Sequence, residues 1–284
     1  MSSLSRIRID DAHPARPRPA WLRALGKSEP PETVTVGGRC FERVEVFKHD
    51  SWAATALYRP IAAEASAGKI VCKFNRVQSV LGLPCRWIGR LLASRESAFL
   101  RRLADVAGVP RDLGAVAIDG VLARHAVARE FVEGRPLGHR QTVRDEFFSE
   151  LRSLLSEVHR RKIAYVDLHK RENVLIGADG KPYLIDFQVS FGFAGRWGGS
   201  LLSILQRMDD YHRLKLHRKC RPDQCRLSAA ELADARPWLV RVHRRLAQPL
   251  RSLRRRLLTA LGVRRGAGRA ESEHFAEAAL RSTS

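Results

Sequence analysis

Two short stretches restrict what this chain can fold into more than anything else in it. Tyr165-Val166-Asp167-Leu168-His169-Lys170-Arg171-Glu172-Asn173-Val174-Leu175-Ile176 is followed by Tyr183-Leu184-Ile185-Asp186-Phe187-Gln188. An Asp, an Asn and a second Asp occur in order, each beside a short apolar run with strand character. Phosphoryl transfer from a nucleotide uses such a set. One carboxylate receives the proton of the acceptor hydroxyl. An amide oxygen and the second carboxylate hold Mg²⁺ against the triphosphate. The plain alternative is a helix, a turn and a hairpin that carry stray acids.

The order and setting resemble the catalytic and metal-binding loops of the protein-kinase-like superfamily, H-R-D-L-x-x-x-N followed by D-F-G. Asn173 and Asp186 are thirteen positions apart (186 − 173), a spacing that fits the family. Asp167 and Asn173 are six apart (173 − 167), where the family motif has five. The loop therefore holds one extra residue and must bulge. Tyr165 and Val166 stand where the family has His and Arg, and Gln188 stands where it has Gly. The family spacing counted back from Asn173 lands on Leu168, which cannot act as a base, so Asp167 is the only reasonable one. The resemblance covers about Arg43 to Phe193. It implies an α+β, two-lobed protein-kinase-like fold with a small β-rich N-lobe and an abbreviated helical C-lobe.

Supporting context lies upstream. Lys69-Ile70-Val71-Cys72-Lys73-Phe74 resembles the V-A-I-K strand, with Lys73 as the phosphate-contacting lysine. An amine in an apolar strand is costly unless paired. Glu96, in the helically spaced run Ser94 to Leu103, is the best partner, on an αC-like helix. Lys69 is a weaker rival, and an edge-strand lysine reaching water is the bland reading. Val44–Phe47 and Thr55–Tyr58 read as strands around Lys48 to Ala54, which has no G-x-G-x-x-G. Ser51, Ala53 and Ala54 are small enough for backbone N–H groups to approach phosphate, whereas Trp52 is not. The segment reads as a non-standard nucleotide lid or as an ordinary hairpin. Val121 to Ala128 reads as a strand. Arg129 to Leu137 then resembles a kinase hinge, in which backbone groups of Glu130, Phe131 and Val132 would hydrogen-bond adenine. Gly134 and Pro136 break the chain before a helix from about Val143 to Lys162, striped by Phe147, Leu151, Leu154, Leu155 and Val158.

Composition divides the 284 residues. Residues 1–31 read as a mobile, disordered, basic and proline-rich arm around a short segment at Trp21 to Leu25. Residues 32–132 would form the N-lobe, 133–235 the C-lobe, and 236–284 a basic amphipathic helix and tail. No apolar run is long enough to span a bilayer, and the start lacks the apolar core of a signal peptide. The expected place is the cytoplasm, where ATP is, with peripheral contact at the inner membrane surface as an option. Five cysteines without a C-x-x-C argue against disulfides. His212, His217, Cys220 and Cys225 match no common zinc spacing and read as incidental residues.

Charge is the second informative feature, at +21 net with pI near 10.9. From Ala235 to Ala270 there is no acid, while arginines recur between Leu246, Leu250, Leu253, Leu257, Leu258 and Leu261. Such a helix suits an anionic membrane surface. Nucleic acid would attract the same charge, but no recognition motif supports it. Val80 to Leu92, with Trp87, Arg86 and Arg90 among aliphatics, is either a headgroup contact or an N-lobe core element.

No A-P-E follows Asp186, so the C-lobe is short. In this the chain resembles compact bacterial kinases such as the lipopolysaccharide-core sugar kinases and the RIO-like and aminoglycoside phosphotransferase groups. The leading acceptor is then the hydroxyl of an anionic membrane glycolipid, followed by a protein Ser/Thr hydroxyl. The resemblance gives Lys73 the α- and β-phosphates of ATP, Glu96 the support of Lys73, Asn173 and Asp186 the Mg²⁺ or Mn²⁺, and Asp167 the acceptor proton. Lys170 or His169 would reach the γ-phosphate. The rival reading is a catalytically silent pseudokinase.

Overall fold

The computed structural model describes residues 19–61, 68–79, 83–138, 143–192, 199–225 and 227–234. Eight strands build the first lobe: β1 (Thr33–Val36), β2 (Arg39–His49), β3 (Ala53–Pro60), β4 (Ile70–Asn75), β5 (Asp112–Gly114), β6 (Val116–Ile118), β7 (Val121–Leu122) and β8 (Ala126–Glu130). Helix α1 (Arg86–Arg102) lies between β4 and β5. The sheet order is β5-β8-β4-β3-β2-β1-β6-β7, and every recorded pair is antiparallel. Because β6 returns to β1, the sheet curls on itself. Its inner face closes over Val34, Val36, Phe41, Ala56, Tyr58, Ile70, Cys72, Phe74, Val116 and Ala128.

The period of two in β4 explains the placement of its lysine. Ile70, Cys72 and Phe74 enter that core, so Val71, Lys73 and Asn75 leave from the opposite face. α1 covers this second face. Its Gly89 crosses the chain closely: a Cβ there would sit 2.3 Å from Arg76 O, so the position admits only glycine.

The second lobe is built on α2 (Phe147–Arg160), whose apolar stripe Phe147, Leu151, Leu154, Leu155 and Val158 is buried as predicted. A sheet ordered β12-β11-β9 lies beside it, from β9 (Gly134–Pro136), β11 (Val174–Gly177) and β12 (Pro182–Leu184). β10 (Ile163–Ala164) pairs with β13 (Phe191–Gly192). α3 (Gly199–Cys220) and α4 (Ala229–Asp234) follow. The architecture is α+β and two-lobed, as the kinase-like resemblance implies, with the curled sheet in one lobe and most of the helix in the other.

Several local expectations are corrected. Val121 to Ala128 is not one strand. Ala123 N donates to Val116 O and Ala126 N to Ala123 O, a turn that separates β7 from β8. Gly134 and Pro136 do not break the chain but pair with Gly177 and Leu175 in the small sheet. The close approach needs glycine, since a Cβ at Gly134 would lie 2.2 Å from Ile176 O. The αC-like helix starts at Arg86, so the Trp- and Arg-bearing part of the Val80 to Leu92 stretch is its first half.

Residues 19–31, assigned to a mobile arm on composition, instead pack on the sheet. Ala24 is fully buried; its N–H donates to Asp50 O, and its carbonyl accepts from Val77 and Gln78. The cause is Arg76, 2% exposed. Its guanidinium donates to the carbonyls of Trp21, Leu22, Ser51, Gln78 and Ser79. A buried cation must be satisfied, and the first segment supplies two of its acceptors. Residues 1–18, residues 193–198 and the basic helix expected over 236–284 lie outside the described residues.

Candidate active site

The β11–β12 hairpin creates the site's spacing. Val174 pairs with Leu184, so Asn173 just before β11 and Asp186 just after β12 come to the same end. Ile185 N donates to Asn173 O, tying the two loops. The extra residue between Asp167 and Asn173 is absorbed without disorder. Lys170 N donates to Asp167 O and Asn173 N to Lys170 O, giving two successive turns. Leu168 points into the core, fully buried.

These turns gather the side chains around one carboxylate. Asp167 Oδ2 accepts from Lys170 Nζ at 2.7 Å and from Asn173 Nδ2 at 2.9 Å. His169 Nδ1 lies 3.3 Å from Asp167 Oδ1. Both residues considered for the γ-phosphate thus reach the same acid. Burial works against the charge of Lys170, but Asp167 outweighs it and raises its pKa. Donation by Asn173 Nδ2 directs its carbonyl oxygen the other way.

On the facing lobe, Lys73 Nζ lies 2.7 Å from Asp186 Oδ1 and 3.0 Å from Glu96 Oε2. Burial alone would strip the proton from such an amine, yet the two carboxylates hold it charged, above its ordinary range. The carboxylates respond differently. Burial pushes Glu96 up despite Lys73, whereas Lys73 outweighs burial at the more open Asp186 and pushes it down. Asp186 is thus the more exposed carboxylate of the pair.

The donor set fits a hard cation. Asn173 and Asp186 offer oxygens only, the chemistry of Mg²⁺ or Mn²⁺. Among the described residues no group of three or more His, Cys, Asp or Glu could hold a metal alone. A cation at Asn173 and Asp186 would complete its shell with phosphate oxygens and water.

The lid departs from expectation. Asp50 Oδ1 accepts from Trp52 N at 2.7 Å and from Ala53 N at 2.9 Å. Ser51 O accepts from Arg76 Nη1 at 2.6 Å. The Ala53 N–H proposed for phosphate is already bonded to a carboxylate, which would itself repel phosphate. The hinge is likewise partly committed: Glu130 N donates to Arg111 O and Phe131 N to Lys69 O. Glu130, Phe131 and Val132 line a pocket of about 800 Å³ behind the hinge, together with Phe41, Ile70 and Leu113. Lys73, Asp167, Asn173 and Asp186 are not among its lining. It is the open mouth of the curled sheet, on the face opposite Lys73.

Four supporting residues escaped the sequence reading. Asp209 of α3, fully buried, accepts from Tyr165 N and Val166 N, both at 2.7 Å, and lies 3.1 Å from His159 Nε2. Burial pushes its carboxyl up despite these donors. Val166 has φ +70°, a conformation that costs a β-branched residue dearly, and Asp186 has φ +65°, which an aspartate tolerates better. Asp209 holds the first in place. Tyr165 packs edge-on against Phe187 at 5.0 Å and donates its hydroxyl to Ile185 O. Arg95 of α1 donates to the carbonyls of Gln188 and Ser190, and Ser190 Oγ donates to Tyr165 O. The one readable signal was Asp209. It falls on the buried face of α3 with Leu202, Arg213 and Leu216.

No family model matches the chain, and no curated protein sequence matches it. Among solved structures, it is similar to the Rio2 kinase from Chaetomium thermophilum, at 16% identity over 65% of this chain and 59% of that one, TM-score 0.47. It is also similar to the ADP/Mg²⁺-phosphoaspartate complex of that kinase, at 16% identity over 71% and 60%, TM-score 0.46. The chain spans about three fifths of the length of these structures.

Proposed function

We propose that this protein is a metal-dependent phosphotransferase that moves the γ-phosphoryl group of a purine nucleoside triphosphate, ATP by family resemblance, to a hydroxyl. The observation that carries this is the pairing of Lys73 with both Glu96 and Asp186, in the fold that also groups Asp167, Lys170 and Asn173. In the reaction, Lys73 neutralises the phosphates and Glu96 keeps it aimed. Asn173 and Asp186 would hold the Mg²⁺ or Mn²⁺, which would supply positive charge to offset that developing on the phosphates. Asp167 orients the acceptor hydroxyl and takes its proton. Lys170, 2.7 Å from Asp167, stands ready for the γ-phosphate. A silent pseudokinase would have no need of this full set in bonding contact.

The acceptor is proposed to be a membrane-borne hydroxyl, on a glycolipid, met at the cytoplasmic face. Leu83, Trp87 and Leu91 are exposed at 69%, 63% and 51% beside exposed Arg86 and Arg90. Apolar and aromatic tips with arginines suit an anionic headgroup layer. Among the described residues no helix is long and apolar enough to cross a membrane. Flotation with anionic liposomes at low salt should carry the protein upward, and its absence would end the membrane reading.

Transfer is tested with γ-labelled nucleotide and Mg²⁺ or Mn²⁺, offering host membrane extract and soluble protein as separate acceptors. Asp186→Ala should lower labelling at least about a hundredfold. Label in lipid supports the glycolipid acceptor, and label in protein bands replaces it with a protein hydroxyl. Equal labelling by wild type and variant defeats the phosphotransferase reading.

A further inference from the structure

One cation of the cleft has no part in the set above. Arg129 is the penultimate residue of β8, and the sheet decides its direction. Residues opposed in an antiparallel ladder share a face, and β4 and β8 oppose Val71 with Arg129 and Lys73 with Val127. Arg129 therefore leaves the sheet on the side of Lys73, away from the core that takes Cys72, Phe74 and Ala128. Its side chain is half-buried; burial works against its charge, and the nearby Glu96 and Asp186 offset that cost only in part. Its Nη1 donates to Glu130 O at 3.3 Å. That carbonyl is the hinge acceptor that an adenine amino group would need. What the cleft presents at this end is consequently a set of N–H donors.

We infer that Arg129 selects the nucleotide base and favours a 6-oxo purine, guanine, over adenine. The inference rests on the nucleotide reading proposed above. Adenine carries an amino donor at C6, which would face the guanidinium donor to donor. Guanine offers O6 and N7 as two acceptors, the edge that a guanidinium fork fits. Arginine has five N–H donors and no acceptor, and it does not deprotonate to relieve the mismatch. A donor left unpaired in a closed cleft is expensive. The slot therefore discriminates mainly by rejecting adenine.

Calorimetric titration of the full chain with GTP and with ATP, each with Mg²⁺, tests this on wild type, Arg129→Met and Arg129→Lys. Wild type should bind GTP about tenfold or more tightly than ATP. Arg129→Met should bring the two within about twofold of each other. Arg129→Lys keeps a charge and loses the fork, so its preference should fall between. ATP binding as tightly as GTP in wild type, or a GTP preference undiminished in either variant, overturns the inference while leaving the phosphotransferase reading intact. Should Arg129→Met fail to fold, the wild-type ratio and Arg129→Lys decide. Wild type that binds neither nucleotide overturns the underlying reading as well.

Discussion

Asp167→Asn should slow phosphoryl transfer by about 10²–10⁴-fold, the range general-base removal costs. Nucleotide affinity should stay within about twofold. The substitution keeps size and one oxygen, so Asn173 Nδ2, now 2.9 Å from Asp167 Oδ2, retains an acceptor. Lys170, at 2.7 Å, loses its carboxylate and with it the cause of its raised pKa. The loop should therefore stay folded while the proton acceptor disappears. Steady-state turnover beside calorimetric nucleotide binding separates these effects. Wild-type turnover in the variant would remove Asp167 from the mechanism. Parallel loss of turnover and affinity would make its role structural.

The second large effect concerns stability. Asp209→Ala should destabilise the protein by about 3–5 kcal/mol, comparable to breaking a buried charged network. Its carboxyl group is the acceptor for Tyr165 N, in a fully buried residue, and for Val166 N, in a partly buried one. Those bonds also hold Val166 at φ +70°. Removing them orphans one buried and one partly buried donor and frees a strained residue next to Asp167. Asp209→Asn keeps one oxygen acceptor and should lose roughly half as much. Urea unfolding of both variants reads the difference. Equal midpoints for wild type and Asp209→Ala would show that the catalytic loop holds its shape without α3.

Legibility in the sequence followed distance along the chain. Asn173 and Asp186 were readable because one hairpin brings them together, and its strands announce themselves as Val174-Leu175-Ile176 and Tyr183-Leu184. Lys73 and Glu96 were readable because a buried lysine demands an acid, and α1 offers one on its inner face. Arg129 was passed over because nothing local marks which face of β8 it uses; the register against β4 settles that. Asp209 lies in a helix crowded with charge, where its helical spacing from Leu202 and Leu216 is all that sets it apart from Asp210 in the sequence. The lid misled for a chemical reason. Small residues around Ser51 invited a phosphate, but the neighbouring Asp50 had already claimed the amides.

Arg76 changes where the protein can be cut. Composition puts a boundary near Glu32, since the prolines end there. A fragment begun at that residue would keep three of the five carbonyls around the guanidinium and lose those of Trp21 and Leu22. The orphaned cation sits under the lid and beside the start of α1, so the damage would reach Glu96 and Lys73 from behind. The smallest piece that can be expected to fold with an intact first lobe therefore begins no later than Pro19.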